Sequence, residues 1–200
     1  MNIRPKHLAK TVARAVESAD IAVTHALAGR RDNPAIRGAG AVSEISDQPP
    51  LIALSLAVLA GGLLLRSPGI ARTGARMLAA HTLATALKTT LKRSIDRSRP
   101  DHALAHGYRL DSGSSDRHHL SSFPSGHSAG AVAIAEAIAR EAPVIALPVR
   151  LLAASASIIQ VPRAKHYVGD VLAGAAIGWL GARIAGVAID AIDRRATSDS

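Results

Sequence analysis

Residues 124–139 read PSGHSAGAVAIAEAIA, and this stretch decides what kind of fold the chain can form. Its second part is almost wholly Ala, Val and Ile, which predicts a helix beginning near Ser128. Pro124, Ser125 and Gly126 are typical of a turn that leads into a helix. The first N–H groups of a helix are unpaired and lie at the positive end of its dipole. This helix start is therefore a candidate anion site.

Each residue of this turn offers a group that can act on a bound anion. Ser125 has a hydroxyl, Gly126 allows close approach to the backbone, and His127 can deliver a proton. The alternative is an ordinary helix N-cap formed by Ser125 or Ser128, beside an incidental histidine.

The composition indicates helices that pack closely. Of the 200 residues, 48% are hydrophobic but only 2% are aromatic. Small apolar residues are typical of packed membrane helices, since they let backbones approach. Hydrophobic segments occupy residues 51–65, 70–90, 128–139, 144–161 and 171–192.

We therefore predict an all-α fold, a membrane-embedded bundle of about five spanning helices preceded by an amphipathic helix. Residues 1–50 form that amphipathic N-terminal helix, to about Arg31, and a connector over residues 30–50. Residues 51–195 form the helical bundle. A compact bundle in water remains the alternative, because several segments are shorter than the ~20 residues that span a bilayer.

The charge of +9 fits nucleic acid, anionic lipid or an anionic substrate as partner. No basic run is interleaved with aromatic residues, so we expect no nucleic-acid partner. The absence of cysteine excludes disulfides and thiol metal sites.

Residues 92–100, KRSIDRSRP, place two cations near a chain break. Lys92 and Arg99 lie seven residues apart, which on a helix puts both on one face, and Pro100 then either ends that helix or fixes the direction in which the chain leaves it. Such a pair can clamp phosphate oxygens. The alternative is a basic cluster beside the membrane, to which Arg93 and Arg97 also belong.

A histidine and an aspartate lie four residues apart, at His166 and Asp170. On one helical face, the carboxylate can hold one ring nitrogen and leave the other free as a nucleophile or base. The alternative is that Asp170 is the N-cap of the following apolar helix.

In order along the chain, K-x6-RP, PSGH and H-x3-D followed by VLAG resemble the PAP2 (type-2 phosphatidic acid phosphatase) superfamily. That family includes membrane lipid phosphatases, soluble bacterial acid phosphatases and vanadate-dependent haloperoxidases. The motifs cover residues 92–174. The resemblance implies a helical bundle and a phosphohistidine mechanism that uses no metal and no cofactor.

The resemblance also implies a role for each matching residue. The proposed phosphate-binding residues are Lys92, Arg99, Ser125 and the Gly126 N–H; His127 protonates the leaving oxygen; His166 attacks phosphorus; and Asp170 orients His166.

One position departs from the family pattern. The family has an arginine six residues before the nucleophilic histidine, where this chain has Gln160. Either Arg163 replaces the missing cation or Gln160 binds phosphate as a neutral donor. We expect Arg163 to contribute to phosphate binding and the enzyme to be active.

The loop over residues 101–123 should border the pocket. Its four histidines match no standard zinc spacing, so we expect a solvated loop and no metal site. Three of its residues are candidates for touching the substrate head group: Arg109, Arg117 and His118.

A site at the mouth of a membrane bundle suits a lipid phosphate, either phosphatidate-like or a polyprenyl phosphate, including a prenyl-linked sugar phosphate. We therefore expect a multi-pass protein of the cell membrane. Basic residues before residue 51 favour a cytoplasmic site, whereas an extra span formed by the N-terminal helix would place it outside. The alternatives are a soluble acid phosphatase, a vanadate-dependent haloperoxidase and a non-catalytic membrane protein with this fold. The sequence predicts no oligomeric state.

Overall fold

A computed structural model describes residues 5–115 and 117–198. These residues form eight helices and one small antiparallel sheet. The helices are α1 (Pro5–Ala28), α2 (Pro34–Ser43), α3 (Gln48–Leu64), α4 (Pro68–Lys92), α5 (Pro100–His106), α6 (Gly126–Glu141), α7 (Ala146–Ile158) and α8 (Val168–Ser198). The strands are β1 (Ile95–Arg97) and β2 (Leu110–Ser112).

The predicted helical bundle is confirmed, and α6 lies at its centre. It packs against α3, α4, α7 and α8, and α4 also packs against α3 and α8. The core between α4, α6 and α8 consists largely of small side chains, including Ala80, Ala84, Ala129, Ala133 and Ala185. Small side chains bring helix axes close together, as the composition predicted.

Glycines of α8 provide the closest contacts of the bundle with α6. A Cβ atom on Gly178 would lie 2.3 Å from the carbonyl oxygen of Ala129, and one on Gly174 would lie 2.4 Å from that of Ser125. The GxxxG spacing of these two glycines thus marks a real helix contact. Gly126 is different, because its nearest neighbour would be the Lys88 ammonium at 3.4 Å.

A cluster of ion pairs holds the opposite end of the bundle. The guanidinium of Arg76 is 3% exposed, pairs with Glu141 and Asp190, and donates to the carbonyl of Gly186 at 3.1 Å. Arg140 pairs with the same aspartate. A buried cation needs such partners, which explains how α4 accommodates Arg76.

Two segments predicted to be irregular contain regular structure. The connector over residues 30–50 includes α2, whose start is fixed by the side-chain Oδ1 of Asn33 accepting from Ala35 N at 2.8 Å and by Pro34 in the first turn. The loop over residues 101–123 includes α5, β2 and a 3-10 turn, His118–Leu120. The first four residues of the predicted amphipathic helix lie outside the described part of the chain.

The predicted number of spanning helices is not confirmed. Among the described residues, one helix is long and apolar enough to cross a membrane, over Val168–Arg195. A bent pair, Pro34–Ser46 with Gln48–Leu64, passes the same test as a unit with a 53° angle between its parts. The other helices that contain apolar stretches are too short or too polar to meet this criterion. Helix α4, which carries the buried Arg76, is one of the polar ones.

Because Gly178 touches α6 backbone, we expect Gly178→Ala to lower the free energy of unfolding by about 1–3 kcal/mol. The added methyl must push two helices apart. Gly61→Ala in α3 is the matched control, since nothing lies within 4 Å of its added Cβ. Thermal unfolding of the detergent-purified variants measures the effect. Equal stability of the two variants would contradict this packing.

Candidate active site

Four helix ends meet at one end of the bundle: the C-terminus of α4 and the N-termini of α3, α6 and α8. The backbone N–H of Ser125 donates to the carbonyl of Asp170 at 3.0 Å, joining the starts of α6 and α8. The Lys88 ammonium of α4 lies beside Gly126, and Asp47, just before α3, lies beside His127. The fold thus brings together the three segments that the sequence analysis singled out.

The ring of His166 is buried and held in one orientation. Its Nδ1 lies 2.8 Å from the backbone carbonyl oxygen of Ser122, and the residue is 2% exposed. A carbonyl oxygen can only accept, so Nδ1 carries the hydrogen. In the neutral ring, Nε2 therefore keeps its lone pair, and no side chain or backbone group of the described residues bonds to it. This is the state that a nucleophile requires.

Asp170 lies behind this ring. Its Oδ2 is 3.8 Å from His166 Nδ1, so the carboxylate acts on the ring mainly through its charge and the carbonyl of Ser122 makes the direct bond. Asp170 is fully buried and accepts from Arg97 Nη1 at 2.6 Å, Ser122 Oγ at 2.5 Å and Tyr167 N at 2.9 Å. The last contact satisfies the backbone N–H just before α8. Asp170 therefore caps α8 from within its first turn and is not the N-cap residue that the alternative predicted, while its orienting role stays a prediction.

Burial lowers the pKa of His166. Asp170 opposes this shift, while the charges of Arg99 and Lys92 lower the pKa further. The His166 ring therefore stays neutral, with Nε2 unprotonated, down to a lower pH than the ring of an exposed histidine does.

The predicted arrangement of Lys92 and Arg99 on one helix face is wrong. Lys92 is the last residue of α4, and Arg99 precedes α5 with extended backbone angles of φ −70° and ψ 150°. A residue before proline avoids helical angles, and Pro100 begins α5 instead of ending α4. Strand β1 lies between the two cations. Both still act on His166, so they reach the same site by different elements.

The turn before α6 is an N-cap, as the alternative interpretation proposed. Ser125 is fully buried, and its Oγ accepts from Ser128 N at 3.4 Å and from Ser128 Oγ at 3.0 Å. The N–H of Gly126 lies at the first helical position, where it has no partner within the helix.

His127 faces two carboxylates. Its Nε2 lies 3.6 Å from Glu44 Oε2 and 3.7 Å from Asp47 Oδ1, so a proton on this ring has two anions beside it. Both acidic residues belong to the segment predicted as a connector, which therefore borders the site.

Gln160 and Arg163 bind each other and the end of α2. Gln160 is fully buried and donates to Ser43 Oγ at 3.1 Å and to the Ala156 carbonyl at 3.0 Å. Arg163 donates to Glu44 Oε1 at 2.6 Å and to Ser43 Oγ at 3.0 Å. The positive charge of Arg163 is thus already paired with Glu44, one of the two carboxylates beside His127.

Two cations near the site were not predicted as site residues from the sequence. Lys88 lies one helical turn before Lys92, a spacing that could have identified it. Arg97 lies among the variable residues of K-x6-RP, and no sequence signal distinguishes it from Arg93, yet it is buried and bonded to Asp170.

The loop contributes one element to the site. Arg99 Nε donates to the carbonyl of His118 at 3.0 Å, and the charge of Arg99 lowers the pKa of His118. Arg109 instead pairs with exposed Asp111 at 2.6 Å, and Arg117 is exposed. His118 is thus the one of these three head-group candidates placed beside a site cation.

A cavity of about 730 Å³ lies between α1, β1, β2 and the start of α8. Apolar side chains such as Val16, Val23, Phe123 and Leu172 line most of it. Its lining includes neither His127 nor His166.

Comparisons with known proteins agree with this geometry. Residues 73–191 match the family model of the PAP2 superfamily. No curated protein sequence matches the chain. Among solved structures, a transmembrane PAP2 type phosphatidylglycerolphosphate phosphatase from Bacillus subtilis is 27% identical, with a TM-score of 0.68 over 89% of this chain and 88% of that one.

A second similar structure is LpxE from Aquifex aeolicus. It is 22% identical, with a TM-score of 0.63 over 82% of this chain and 92% of that one, and shows the shared fold. The family model spans more than half of the chain, and its three motifs meet at one end of the bundle: the chain belongs to the PAP2 superfamily.

Proposed function

We propose that this protein is a multi-pass membrane phosphatase that hydrolyses a lipid phosphate through a phosphohistidine at His166, without a metal. The observation that carries the proposal is the state of His166. Its Nδ1 is bonded to a carbonyl at 2.8 Å, and its Nε2 has no hydrogen-bond partner among the described residues. The charges of Lys92 and Arg99 lower the pKa of the ring. This arrangement supports an uncharged nucleophile beside cations that hold an anion.

In the first step, the lone pair of His166 Nε2 attacks phosphorus and forms an N–P bond. The bond between phosphorus and the leaving oxygen breaks, and protonated His127 gives its proton to that oxygen. The Asp170 carboxylate stabilises the positive charge that develops on the His166 ring. The lipid alcohol then leaves.

In the second step, neutral His127 takes a proton from water as the water oxygen attacks phosphorus. The N–P bond breaks, inorganic phosphate forms, and His166 returns to its neutral state. Because His127 ends this step protonated, it is ready for the next substrate.

The cations around the site support phosphate binding. Lys88, Lys92 and Arg99 are all partly buried, and none has a carboxylate within 4 Å anywhere in the described chain. Lys88 also lies beside Gly126, at the positive end of the α6 dipole. Cations held together in this way repel each other, and a phosphate dianion between them removes the repulsion.

The same cluster supports an active enzyme despite Gln160. Buried Gln160 is occupied by Ser43 and Ala156, and Arg163 would have to leave Glu44 to reach a phosphate. We propose that Lys88 supplies most of the missing positive charge. We propose that Arg163 also binds the phosphate, with a smaller contribution than Lys88.

The surface supports a membrane setting. Large apolar side chains are exposed along the outer faces of three helices, among them Leu63, Leu147, Leu151, Leu172 and Val187. Such a surface is stable against lipid and costly in water. The similar Bacillus subtilis protein is described as transmembrane and as acting on phosphatidylglycerolphosphate. A lipid whose tail stays in the bilayer can present its phosphate to the end of the bundle where the three motifs meet.

Phosphate release in detergent with EDTA tests the proposal. We expect release from phosphatidate, phosphatidylglycerolphosphate or a polyprenyl phosphate, and none from His166→Ala, which loses the nucleophile.

We expect His127→Ala to slow the hydrolysis of a lipid phosphate far more than that of an aryl phosphate, because a good leaving group needs less protonation. Release by His166→Ala would contradict the nucleophile. Equal losses in His127→Ala would contradict the acid, and release from the aryl ester alone would indicate a soluble-substrate enzyme.

For Lys88, we expect Lys88→Met to reduce kcat/KM for the lipid phosphate about 10- to 100-fold, mainly through a higher KM. This is the range for losing one charged hydrogen bond of about 1.5–3 kcal/mol. Arg93→Met is the matched control, since Arg93 follows α4 on the exposed surface. If both variants keep wild-type kcat/KM, Lys88 does not bind the phosphate.

A further inference from the structure

Helix α1 lies outside the segment that matches the family, yet three of its side chains contact the catalytic end of the bundle. Glu17, Asp20 and Thr24 share one face of α1, at helical spacing. Asp20 Oδ1 accepts from Gly169 N at 3.0 Å, and Thr24 Oγ1 accepts from Val168 N at 3.3 Å. These N–H groups begin α8 and have no partner within the helix. Helix α1 therefore caps the helix that carries Asp170.

The contact of Asp20 with α8 is close. The carboxylate of Asp20 is 11% exposed, and a Cβ atom on Gly169 would lie 2.7 Å from its Oδ2. The glycine thus lets the carboxylate reach the backbone one residue before Asp170.

Asp20 also binds the cation that neutralises Asp170. Arg97 donates from Nη2 to Asp20 Oδ2 at 2.8 Å and from Nη1 to Asp170 Oδ1 at 2.6 Å. Burial lowers the pKa of Arg97, but Asp170 and Asp20 outweigh that effect and raise it. The guanidinium also lies 4.0 Å from the centre of the Tyr167 ring. Arg97 is therefore a fixed, permanent charge between two carboxylates.

A second chain of hydrogen bonds supports the same cation. Arg97 Nε donates to Tyr108 Oη at 3.2 Å, and that hydroxyl donates to Glu17 Oε1 at 2.7 Å. Helix α1 thus holds Arg97 at two points, which fixes the direction of both guanidinium nitrogens.

From this geometry we infer that Asp20 is a positioning residue of the reaction, acting on His166 through Arg97 and Asp170. The inference rests on the proposed function of His166. Asp20 shares the charge of Arg97, so that Asp170 keeps enough negative charge to favour the cationic ring formed during attack. Without Asp20, Arg97 neutralises Asp170 more completely, and the orientation of Asp170 at the start of α8 is less fixed.

Asp20→Asn tests this inference, because the amide keeps the shape and removes the charge. We expect kcat to fall about 10- to 100-fold with KM within about twofold of wild type, since the change misplaces a catalytic group and leaves the phosphate-binding cations intact. We expect Asp20→Glu to recover a large part of kcat. Asp32→Asn, whose carboxylate is 92% exposed beyond the end of α1, is the control and should match wild type.

The pKa of His166 provides a readout that a purely structural role would not move. Removing the negative charge of Asp20 disfavours the protonated ring, so the pKa of His166 and the acid limb of kcat/KM both shift to lower pH. NMR of protein labelled at histidine, with the signal assigned by His166→Ala, measures this pKa without turnover. This separates a failure of the inference from a failure of the proposed function.

Two results would overturn the inference. One is an unchanged His166 pKa in Asp20→Asn. The other is a loss of activity with three features. The unfolding temperature falls, kcat and KM change to the same extent, and Asp20→Glu does not restore activity. If wild type releases no phosphate but the pKa shifts as expected, the coupling stands and the proposed phosphatase activity fails.

Discussion

The arrangement of the active site depends on one buried carboxylate. Asp170 is fully buried, and a buried anion is stable only when its charge and lone pairs have partners. Arg97, Ser122 and the N–H of Tyr167 supply them. Each partner comes from a different part of the chain. Satisfying Asp170 therefore fixes β1, the loop before α6 and the start of α8 against one another, and with them the ring of His166.

Small residues supply the second constraint, which is distance. Gly174 and Gly178 bring α8 onto α6 so closely that the carbonyls of Ser125 and Ala129 touch the α8 backbone. Larger residues would separate the two helix starts, and the Ser125 N–H would lose the Asp170 carbonyl that it now contacts at 3.0 Å. The ion pairs of Arg76 hold the other end of the same helices. Packing along the bundle thus positions groups at its end.

The sequence predicted the bundle and the residues that meet at its end, because helical periodicity and three short motifs are local signals. It could not show that Lys92 and Arg99 lie on separate elements, since that depends on how β1 pairs with β2. Nor could it separate Arg97 from Arg93, because burial decides their difference. The contribution of Asp20 was invisible for the same reason: 149 residues separate it from Gly169. The motifs themselves are recognised from the spacing of residues along the chain. The residues that support them are determined by contacts between distant parts of the chain.

In the proposed reaction the phosphoryl group is bound covalently to His166, and trapping that intermediate tests the proposal most directly. Protein would be mixed with a lipid phosphate in detergent, quenched in alkali within one turnover, digested and analysed by mass spectrometry, with His166→Ala and His127→Ala in parallel. We expect an acid-labile phosphate on His166, longer-lived in His127→Ala because water is activated more slowly, and absent from His166→Ala. Phosphate release without a phosphoenzyme, or a phosphate on a different residue, would contradict the account.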